Sequence, residues 1–458
     1  MTKLRLYDTY ERQIRELVPL KDNDIGLYAC GPTVYNYVHI GNLRTYIFED
    51  LLRRTIVHAG FNLKHVMNIT DVGHLTSDAD SGEDKMEVGS RSSGMSAWEM
   101  AEFYARSFKE DLQNLNIQMP DIWCKATDHI KEQIAFVEDL EAKGYTYRTT
   151  DGIYFDSCKL DNYGFLARLD VEGLQAGARV EQGERRFVTD FALWKFSNPE
   201  EQRQMEWDSP WGIGFPGWHI ECSAMSARYL GDFFDIHCGG KDHIPIHHTN
   251  EIAQTEASRG TRLANFWMHG YFLQMGDSKM SKSSGDFLQL KNLVDKGFSP
   301  LAYRYFCLTA HYRSELSFTW ESLRANDTAL TRLYQAAYSW GEPTSISETY
   351  ITRFVEHIYE DLNLPRALAV AWELVRSDEP DGVKKATLLT FDEIFGLDIA
   401  EWKPKEIYIP DEVLVLVAER EAARSRKDWK EADTVREKIR DLGFEVEDSR
   451  EGPKIKLS

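Results

Sequence analysis

The chain has 458 residues, of which 42% are hydrophobic, and a formal net charge of −20 at pH 7. This length suggests roughly two to four domains, each large enough to bury a core. The acidic balance argues against a protein that coats nucleic acid nonspecifically, although a single domain can still carry a basic face. The sequence contains no apolar run of about 18 residues and no N-terminal secretion signal, so we expect a cytoplasmic protein without a membrane segment.

The first half of the chain predicts a sheet protein interrupted by an insertion. Strand-like and helical stretches alternate over residues 1–127, which indicates the first half of an α/β catalytic domain. Residues 128–210 change to strand-and-turn pieces after one helix, as expected of a connective insertion. The α/β pattern returns over residues 211–314. The predicted fold is therefore a Rossmann-like doubly wound parallel sheet split by an insertion.

Beyond the sheet domain, strand patterns nearly vanish. Residues 315–402 predict a helical bundle, and residues 403–458 predict a small last domain. This last domain should contain one basic helix followed by a short strand-like tail. Its candidate phosphate-contacting residues are Arg420, Arg424, Arg426, Lys427 and Lys430.

A strand-to-helix junction near the N-terminus indicates an anion site. The apolar run "IGLYAC" predicts a strand, and the helical spacing that follows ends near Gly60. His39, Gly41 and Asn42 occupy the turn where this helix begins. A helix N-terminus offers unpaired N–H groups, and a glycine lets a phosphate approach the backbone closely. The alternative is a surface turn with an incidental histidine.

A second phosphate signal lies about 240 residues later, in "GDSKMSKSSGDF". Lys279 and Lys282 stand there among serines and glycines, and two ammonium groups on a loop of small residues can neutralise charge that develops on a departing pyrophosphate. Alone, such a segment is usually a solvated turn. A formal GxGxxG match, "GIGFPG", is rejected as a dinucleotide site because no strand precedes it and a proline lies inside the turn.

The cysteines and histidines suggest a metal site. His247 and Glu251 are four residues apart, hence on one helix face, although such a pair is often only a surface contact. Cys30 and Cys222 offer two soft ligands, and this set of four suits zinc. The six cysteines include no CxxC pair, which favours reduced thiols. We interpret the other four as packing residues: Cys124, Cys158, Cys238 and Cys307.

Together these motifs carry a resemblance to a known family. "HIGN" (39–42) and "KMSKS" (279–283) resemble the two signatures of class I aminoacyl-tRNA synthetases. "PGWHIECSAMS" and "HHTNEIAQTEA" resemble the metal and amino-acid segments of the cysteinyl-tRNA synthetase family, and the likeness extends over nearly the whole chain. The sequence departs from the family in three places: "VGHLTSDADSGE" follows Asp71, Cys238 stands where glycine is usual, and "HIPIHH" replaces the usual Phe-Pro before the histidines.

The resemblance implies a role for each motif residue. Zinc, one ion per chain, would be held by Cys30, Cys222, His247 and Glu251. The catalytic residues would be His39, Asn42, Lys279 and Lys282, and ATP would be bound by His39, Gly41, Asn42 and Lys282. The amino-acid pocket would include Thr70, Trp218, His237 and Asp242.

The resemblance also implies the reaction and its partners. Cysteine would be activated by Mg-ATP to cysteinyl-adenylate and passed to the terminal adenosine of tRNA(Cys), with zinc selecting the thiolate over a serine hydroxyl. Residues 403–458 would then form an anticodon-binding domain, and the expected state is a monomer. The closest alternative is a paralogue that transfers cysteine to a small-molecule amine. A catalytically silent zinc-containing RNA-binding module is the alternative from another class.

Overall fold

The computed structural model describes residues 2–73, 75–77, 81–169, 184–198, 200, 203–275, 288–404, 409–449 and 452–457. The chain divides into two compact units, Met1–Glu401 and Trp402–Ser458. None of the helices in these described ranges is long and apolar enough to cross a membrane. The domain boundaries predicted inside the first unit stay predictions.

The first third of the chain supplies an N-terminal hairpin, three strands of the main sheet and the helices between them. In chain order the elements are β1 Arg5–Asp8, β2 Gln13–Glu16, β3 Asp24–Ala29, α1 Ile40–His58, β4 Asn62–Ile69, β5 Leu75–Ser77, β6 Ser81–Asp84, α2 Lys85–Ser93, α3 Ala97–Asn114 and β7 Ile122–Lys125. The hairpin β1–β2 and the short pair β5–β6 are antiparallel.

The middle of the chain holds the insertion and then returns to the main sheet. Its elements are α4 Ile130–Ala142, β8 Thr146–Arg148, β9 Gly152–Phe155, β10 Phe191–Phe196, β11 Gly214–Pro216, α5 Trp218–Leu230, β12 Phe233–Gly240, α6 His247–Arg259 and β13 Leu263–Gly270. The strands β8 to β11 form a separate antiparallel sheet in the order β11-β10-β9-β8. The "GIGFPG" turn belongs to this sheet, since β11 pairs antiparallel with β10.

The main sheet has five strands in the order β13-β12-β3-β4-β7, and every neighbouring pair is parallel. If the five strands are numbered 1 to 5 in chain order, the sheet reads 3-2-1-4-5 from the β7 edge. This is the arrangement of a doubly wound mononucleotide-binding fold. The prediction of a Rossmann-like sheet split by an insertion is therefore confirmed. The strand order reverses between β3 and β12, and ligands of such sheets bind at the carboxyl ends of the strands beside this point.

The sheet is buried on both faces, which explains its apolar strands. From Phe234 to Gly240 every residue of β12 is buried, and α1 packs on one side while α5 and α6 pack on the other. Parallel strands covered by helices on both faces read as continuous hydrophobic runs. The rigid sheet thus provides a fixed frame for the loops at its carboxyl edge.

The remaining elements of the first unit are mainly helical, as predicted. They are β14 Leu273–Met275, α7 Leu290–Asp295, α8 Pro300–Leu308, β15 Leu316–Phe318, α9 Trp320–Ser339, α10 Glu348–Ile358, α11 Leu364–Arg376 and α12 Asp381–Phe395. A fully buried Arg304 on α8 joins this region to the sheet domain by donating to Asp50 on α1 and to the Phe395 carbonyl.

The second unit has its own small core, formed by two helices and a hairpin. The elements are α13 Asp411–Ser425, α14 Trp429–Asp441, β16 Phe444–Ser449 and β17 Gly452–Leu457. Val413, Val417 and Ile439 are buried between them. The prediction of a single basic helix was wrong, because the chain breaks at Lys427, whose φ is 64°.

The basic residues of this unit are not all available for phosphate contacts. Arg420 is only 4% exposed and pairs with Glu421 and Asp448. Arg424 also pairs with Asp448, and Arg426 pairs with Glu431. Ion pairs within the unit therefore occupy part of the positive charge that was predicted to face phosphates.

Candidate active site

A cavity of about 370 Å³ opens at the carboxyl edge of the main sheet, beside the reversal of strand order. Its walls come from the segments that follow β3, β4 and β12 and from the first turns of α1, α5 and α6. The lining includes Cys30, Gly31, His39, Asn42, Thr45, Tyr46, Asn68, Thr70, Trp218, Cys222, Asp242, His243 and His247. The cavity thus lies where the fold predicts a ligand.

The loop after β3 is held tightly against β4. A Cβ at Gly31 would lie 1.7 Å from the Asn68 carbonyl oxygen, so this position requires glycine. The Gly31 N–H donates to the Asn68 side chain at 2.8 Å, and the Thr70 N–H donates to the Pro32 carbonyl at 3.0 Å. These bonds fix Cys30 and Thr70 as neighbours on the cavity wall.

The predicted anion site is the N-terminus of α1. His39 is the N-cap: its Nδ1 accepts from the Asn42 N–H at 3.2 Å, while the Asn42 side chain accepts from the His39 N–H at 3.2 Å. This reciprocal pair is a capping box. A Cβ at Gly41 would lie 2.9 Å from the His39 ring, so glycine here keeps space beside the imidazole. Burial lowers the pKa of His39, although Asp242 opposes the shift.

Four buried side chains meet at the floor of the cavity: Cys30, Cys222, His247 and Glu251. Their ligand atoms all lie within 4.8 Å of one another. Cys30 follows β3, Cys222 lies one turn into α5, and the other two lie one turn apart on α6. The structure therefore brings together, from three distant segments, the set that the resemblance implied.

This donor set fits a metal ion. Glu251 Oε1 lies 3.1 Å from His247 Nε2 and is buried without a hydrogen-bond partner among the described residues. Burial raises the pKa of the Cys30 thiol well above its ordinary value, with Cys222 and Glu251 adding to the effect. A cation bound between these groups would favour the ionised thiols, because it would offset the repulsion between their negative charges. Two thiols, an imidazole and a carboxylate are ligands that zinc accepts.

Two further histidines contact this cluster, one at the Glu251 carboxylate and one at the Cys30 thiol. His237 Nε2 donates to Glu251 Oε2 at 2.8 Å, and His248 Nε2 lies 3.4 Å from Cys30 Sγ. A second group of ligand atoms, Cys30, His237, His248 and Glu251, also lies within 4.8 Å. It shares two members with the first group, so both belong to one site.

Three of the four predicted pocket residues line the cavity. Thr70 donates to Glu221 at 3.2 Å, the Trp218 ring lies 4.6 Å from the His247 ring, and Asp242 follows β12 on the wall. His237 is different, because it is fully buried behind Glu251 and stacks on Trp267. In the structure it contacts the candidate metal ligand and is not part of the cavity wall.

Some site residues were not found by sequence reasoning. His243 and Tyr46 line the cavity, and Glu221 is buried beside Thr70. The dense "KDHIPIHH" run signals His243, while nothing local distinguishes Tyr46 from a core residue. Of the cysteines interpreted as packing residues, Cys124, Cys238 and Cys307 are buried, but Cys158 is exposed. Lys279 and Lys282 lie outside the described residues.

The chain matches two family models. Residues 16–328 match the tRNA synthetases class I (C) catalytic domain, and residues 408–453 match the cysteinyl-tRNA ligase anticodon binding domain. Among solved structures, the chain resembles methionyl-tRNA synthetase of Mycobacterium tuberculosis bound by methionyl-adenylate, with a TM-score of 0.54 and 15% identity. That alignment covers 82% of this chain and 90% of the other. The fold is therefore that of a class I aminoacyl-tRNA synthetase.

Relatives similar over the full length show which family of class I synthetases the chain belongs to. The chain is 58% identical to cysteine–tRNA ligase 1 of Burkholderia lata over 453 residues, covering 99% of this chain and 96% of that protein. It is 42% identical to cysteine–tRNA ligase of Treponema denticola, covering 97% and 98% respectively. The chain belongs to the cysteinyl-tRNA synthetase family.

Proposed function

We propose that this chain is a cysteine–tRNA ligase that activates cysteine with Mg-ATP and transfers it to tRNA(Cys). The observation that carries the proposal is the meeting of two thiols, an imidazole and a carboxylate at the floor of a cavity beside the α1 N-terminus. One end of this cavity suits a soft side chain, and the other suits phosphates. An amino acid with a thiol and a nucleotide would thus be held side by side.

In the proposed first step, the cysteine carboxylate attacks the α-phosphate of ATP and pyrophosphate leaves. The positive end of the α1 dipole and the His39 imidazole lie where phosphate charge would be held. Asp242 and Thr70, which also line the cavity, offer oxygen atoms to the substrate ammonium group. Catalysis would come from positioning and charge stabilisation, so no protein nucleophile is needed.

Zinc, held by Cys30, Cys222, His247 and Glu251, would supply a soft Lewis acid for the substrate thiolate. All four of these residues are buried at the cavity floor. His237 would hold the Glu251 carboxylate in place through its 2.8 Å contact. A serine hydroxyl is a poorer partner for such a centre, which supports selection by chemistry rather than by size.

The roles proposed for Lys279 and Lys282 rest on the sequence resemblance alone. They would neutralise charge on the departing pyrophosphate, as the resemblance implies. The second step would pass the cysteinyl group to the terminal adenosine of tRNA. The match of residues 408–453 to an anticodon-binding domain supports tRNA as the acceptor rather than a small amine. The cytoplasmic location and the monomeric state remain predictions.

Aminoacylation of a tRNA pool with each amino acid in turn tests this proposal. We expect an ester of cysteine on tRNA and no comparable product with serine or other amino acids. Activation of cysteine without any transfer to tRNA, combined with transfer to an added small amine, would instead support the paralogue.

A further inference from the structure

A buried arginine joins the phosphate end of the cavity to a separate part of the fold. Arg44 lies on α1, between the predicted ATP-binding residue Asn42 and the cavity residues Thr45 and Tyr46. It is only 4% exposed. Its guanidinium points away from the cavity, towards the segments that flank β14 and β15.

The guanidinium of Arg44 bonds only to backbone carbonyls among the described residues. It donates to Tyr271 at 2.9 Å, to Phe272 at 2.5 Å and, through its other nitrogen, to Ser314 at 2.5 Å and His311 at 3.3 Å. The planar guanidinium carries five N–H donors in a fixed geometry and so can meet several carbonyls at once. Among the described residues no carboxylate lies within ion-pair distance of Arg44, although the charge of Glu315 acts on it from farther away. Burying a cation without a direct ion pair costs free energy, so stability alone is a poor explanation for this arginine.

The four carbonyls belong to segments that lead into the two strands of a small parallel sheet. Tyr271 and Phe272 precede β14, while Ser314 precedes β15, and the two strands pair from Leu273 with Leu316 onwards. Arg44 thus holds the start of both strands. Residue 275, the end of β14, is the last described residue before the segment that contains Lys279 and Lys282.

The same helix also holds the other side of that segment. The Ile40 N–H donates to the carbonyl of Leu288 at 2.8 Å, and the Ile40 carbonyl accepts from Tyr303 at 2.6 Å. The first two turns of α1 therefore carry His39 and Asn42, and they also bond to the chain before and after residues 276–287. Lys279 and Lys282 belong to the chain between Met275 and Leu288, so a displacement of β14 relative to α1 would displace one attachment point of that segment relative to the α1 N-terminus.

A further contact ties this region to the cavity wall. The Lys241 ammonium lies 4.2 Å from the centroid of the Tyr271 ring. Lys241 immediately precedes the cavity residue Asp242. The carbonyl of Tyr271 is thus held by Arg44, while its ring supports a cation beside the candidate pocket.

We propose that Arg44 is a positioning residue for adenylate formation, because it fixes the anchor of the lysine-bearing segment relative to the α1 N-terminus. It acts through Tyr271, Phe272 and Ser314 and does not contact substrate. The inference rests on the proposed function, since it assumes that the chain activates cysteine with ATP. Its loss should impair the chemical step more than cysteine binding, whose residues lie on other segments.

The test is cysteine-dependent ATP–pyrophosphate exchange by Arg44→Met and Arg44→Lys. A misplacement of about 1 Å can cost roughly 100-fold in rate, so we expect Arg44→Met to lower kcat by about 10- to 100-fold with KM for cysteine within about 3-fold of wild type. Lysine can reach only part of the carbonyl set, and Arg44→Lys should recover part of the rate.

Arg304 supplies the control. It is also fully buried and donates to the backbone carbonyls of Phe395 and Leu115, and none of its contacts lines the cavity. Unlike Arg44, it also forms an ion pair with a carboxylate, Asp50. Arg304→Lys should lower Tm at least as much as Arg44→Lys while leaving kcat near wild type at a temperature well below both transitions.

Unchanged kcat in Arg44→Met, or an equal loss of kcat in Arg304→Lys at matched Tm, would overturn the inference and leave the proposed function standing. If Arg44→Met does not fold, Arg44→Lys decides in the same way: reduced kcat with normal cysteine KM supports the inference, and wild-type kinetics overturn it. A wild-type protein without cysteine-dependent exchange would instead defeat the proposed function itself.

Discussion

Single side chains account for the chemistry of the cavity floor. Cys30 and Cys222 come from the end of a strand and from a helix almost 200 residues later, and His247 and Glu251 share one helix face. The pairing of His247 with Glu251 follows from helical spacing, whereas the meeting of the cysteines required the resemblance. The position of His237 behind Glu251 could not be read from the sequence, because a strand buried on both faces has no polar alternation to show its orientation.

The ligand assignment predicts how Cys222→Ser behaves. A neutral hydroxyl is a poor substitute for a thiolate, so metal affinity should fall by more than the ~10- to 100-fold that loss of an outer-sphere partner costs. Selectivity for cysteine over serine should fall with it. Metal content by elemental analysis after dialysis against a chelator series measures the first effect. Cys307→Ser is the control, since Cys307 is buried on α8 outside the cluster; equal metal loss in both variants would refute the assignment.

His65 predicts a specific pH dependence of stability. It is 2% exposed, neither ring nitrogen has a hydrogen-bond partner among the described residues, and burial lowers the pKa of His65 to about 3. Because the folded pKa lies below the unfolded value, the unfolded chain binds the proton first as pH falls. Stability should therefore be lost from about pH 6.5 down towards pH 3, by up to about 1.4 kcal/mol per pH unit.

The variant His65→Leu isolates this effect, because leucine cannot titrate. Urea unfolding at pH 7 and pH 5 should show a smaller loss of unfolding free energy in His65→Leu than in wild type. The same pH dependence in both proteins would show that His65 is protonated in the folded state at no cost.

At the scale of elements, the N-terminus of α1 has two roles: its residues cap the helix and also line the candidate active site. Both residues of its capping box, His39 and Asn42, line the cavity at the positive end of the helix dipole. The helix and its start were predictable from spacing. The break between α13 and α14 was missed because Lys427 adopts a left-handed conformation that favours glycine. A signal was present, since Asp428 caps α14 by accepting from the Glu431 N–H.

Comparison with a second capping box allows the role of Asn42 in ATP binding to be separated from its role in helix stability. Glu99 plays the same part in the box of Ser96 at the start of α3. Asn42→Ala and Glu99→Ala should each cost about 1 kcal/mol of unfolding free energy. Only Asn42→Ala should also raise KM for ATP in pyrophosphate exchange. A normal ATP dependence in Asn42→Ala would restrict this residue to capping.

At the scale of the whole molecule, the two units predict separable activities. The second unit has its own core, and the ligand cluster and the cavity lie in the first. A chain ending at Trp402 should keep cysteine-dependent pyrophosphate exchange within a few-fold of wild type and lose most of its tRNA charging. Exchange and charging rates for the two chains measure this. Equal loss of both reactions would show that the second unit serves catalysis.

The central claim is that a metal at the cavity floor lets the chain select cysteine over serine. The most direct test is pyrophosphate exchange, measured with cysteine and with serine before and after the metal is removed. We predict one zinc ion per chain, rapid exchange with cysteine and little with serine, loss of the cysteine reaction when the metal is removed, and recovery when zinc is restored. A metal-free wild-type protein that still activates cysteine over serine by a wide margin would contradict the account, because the pocket would then select the side chain by shape alone.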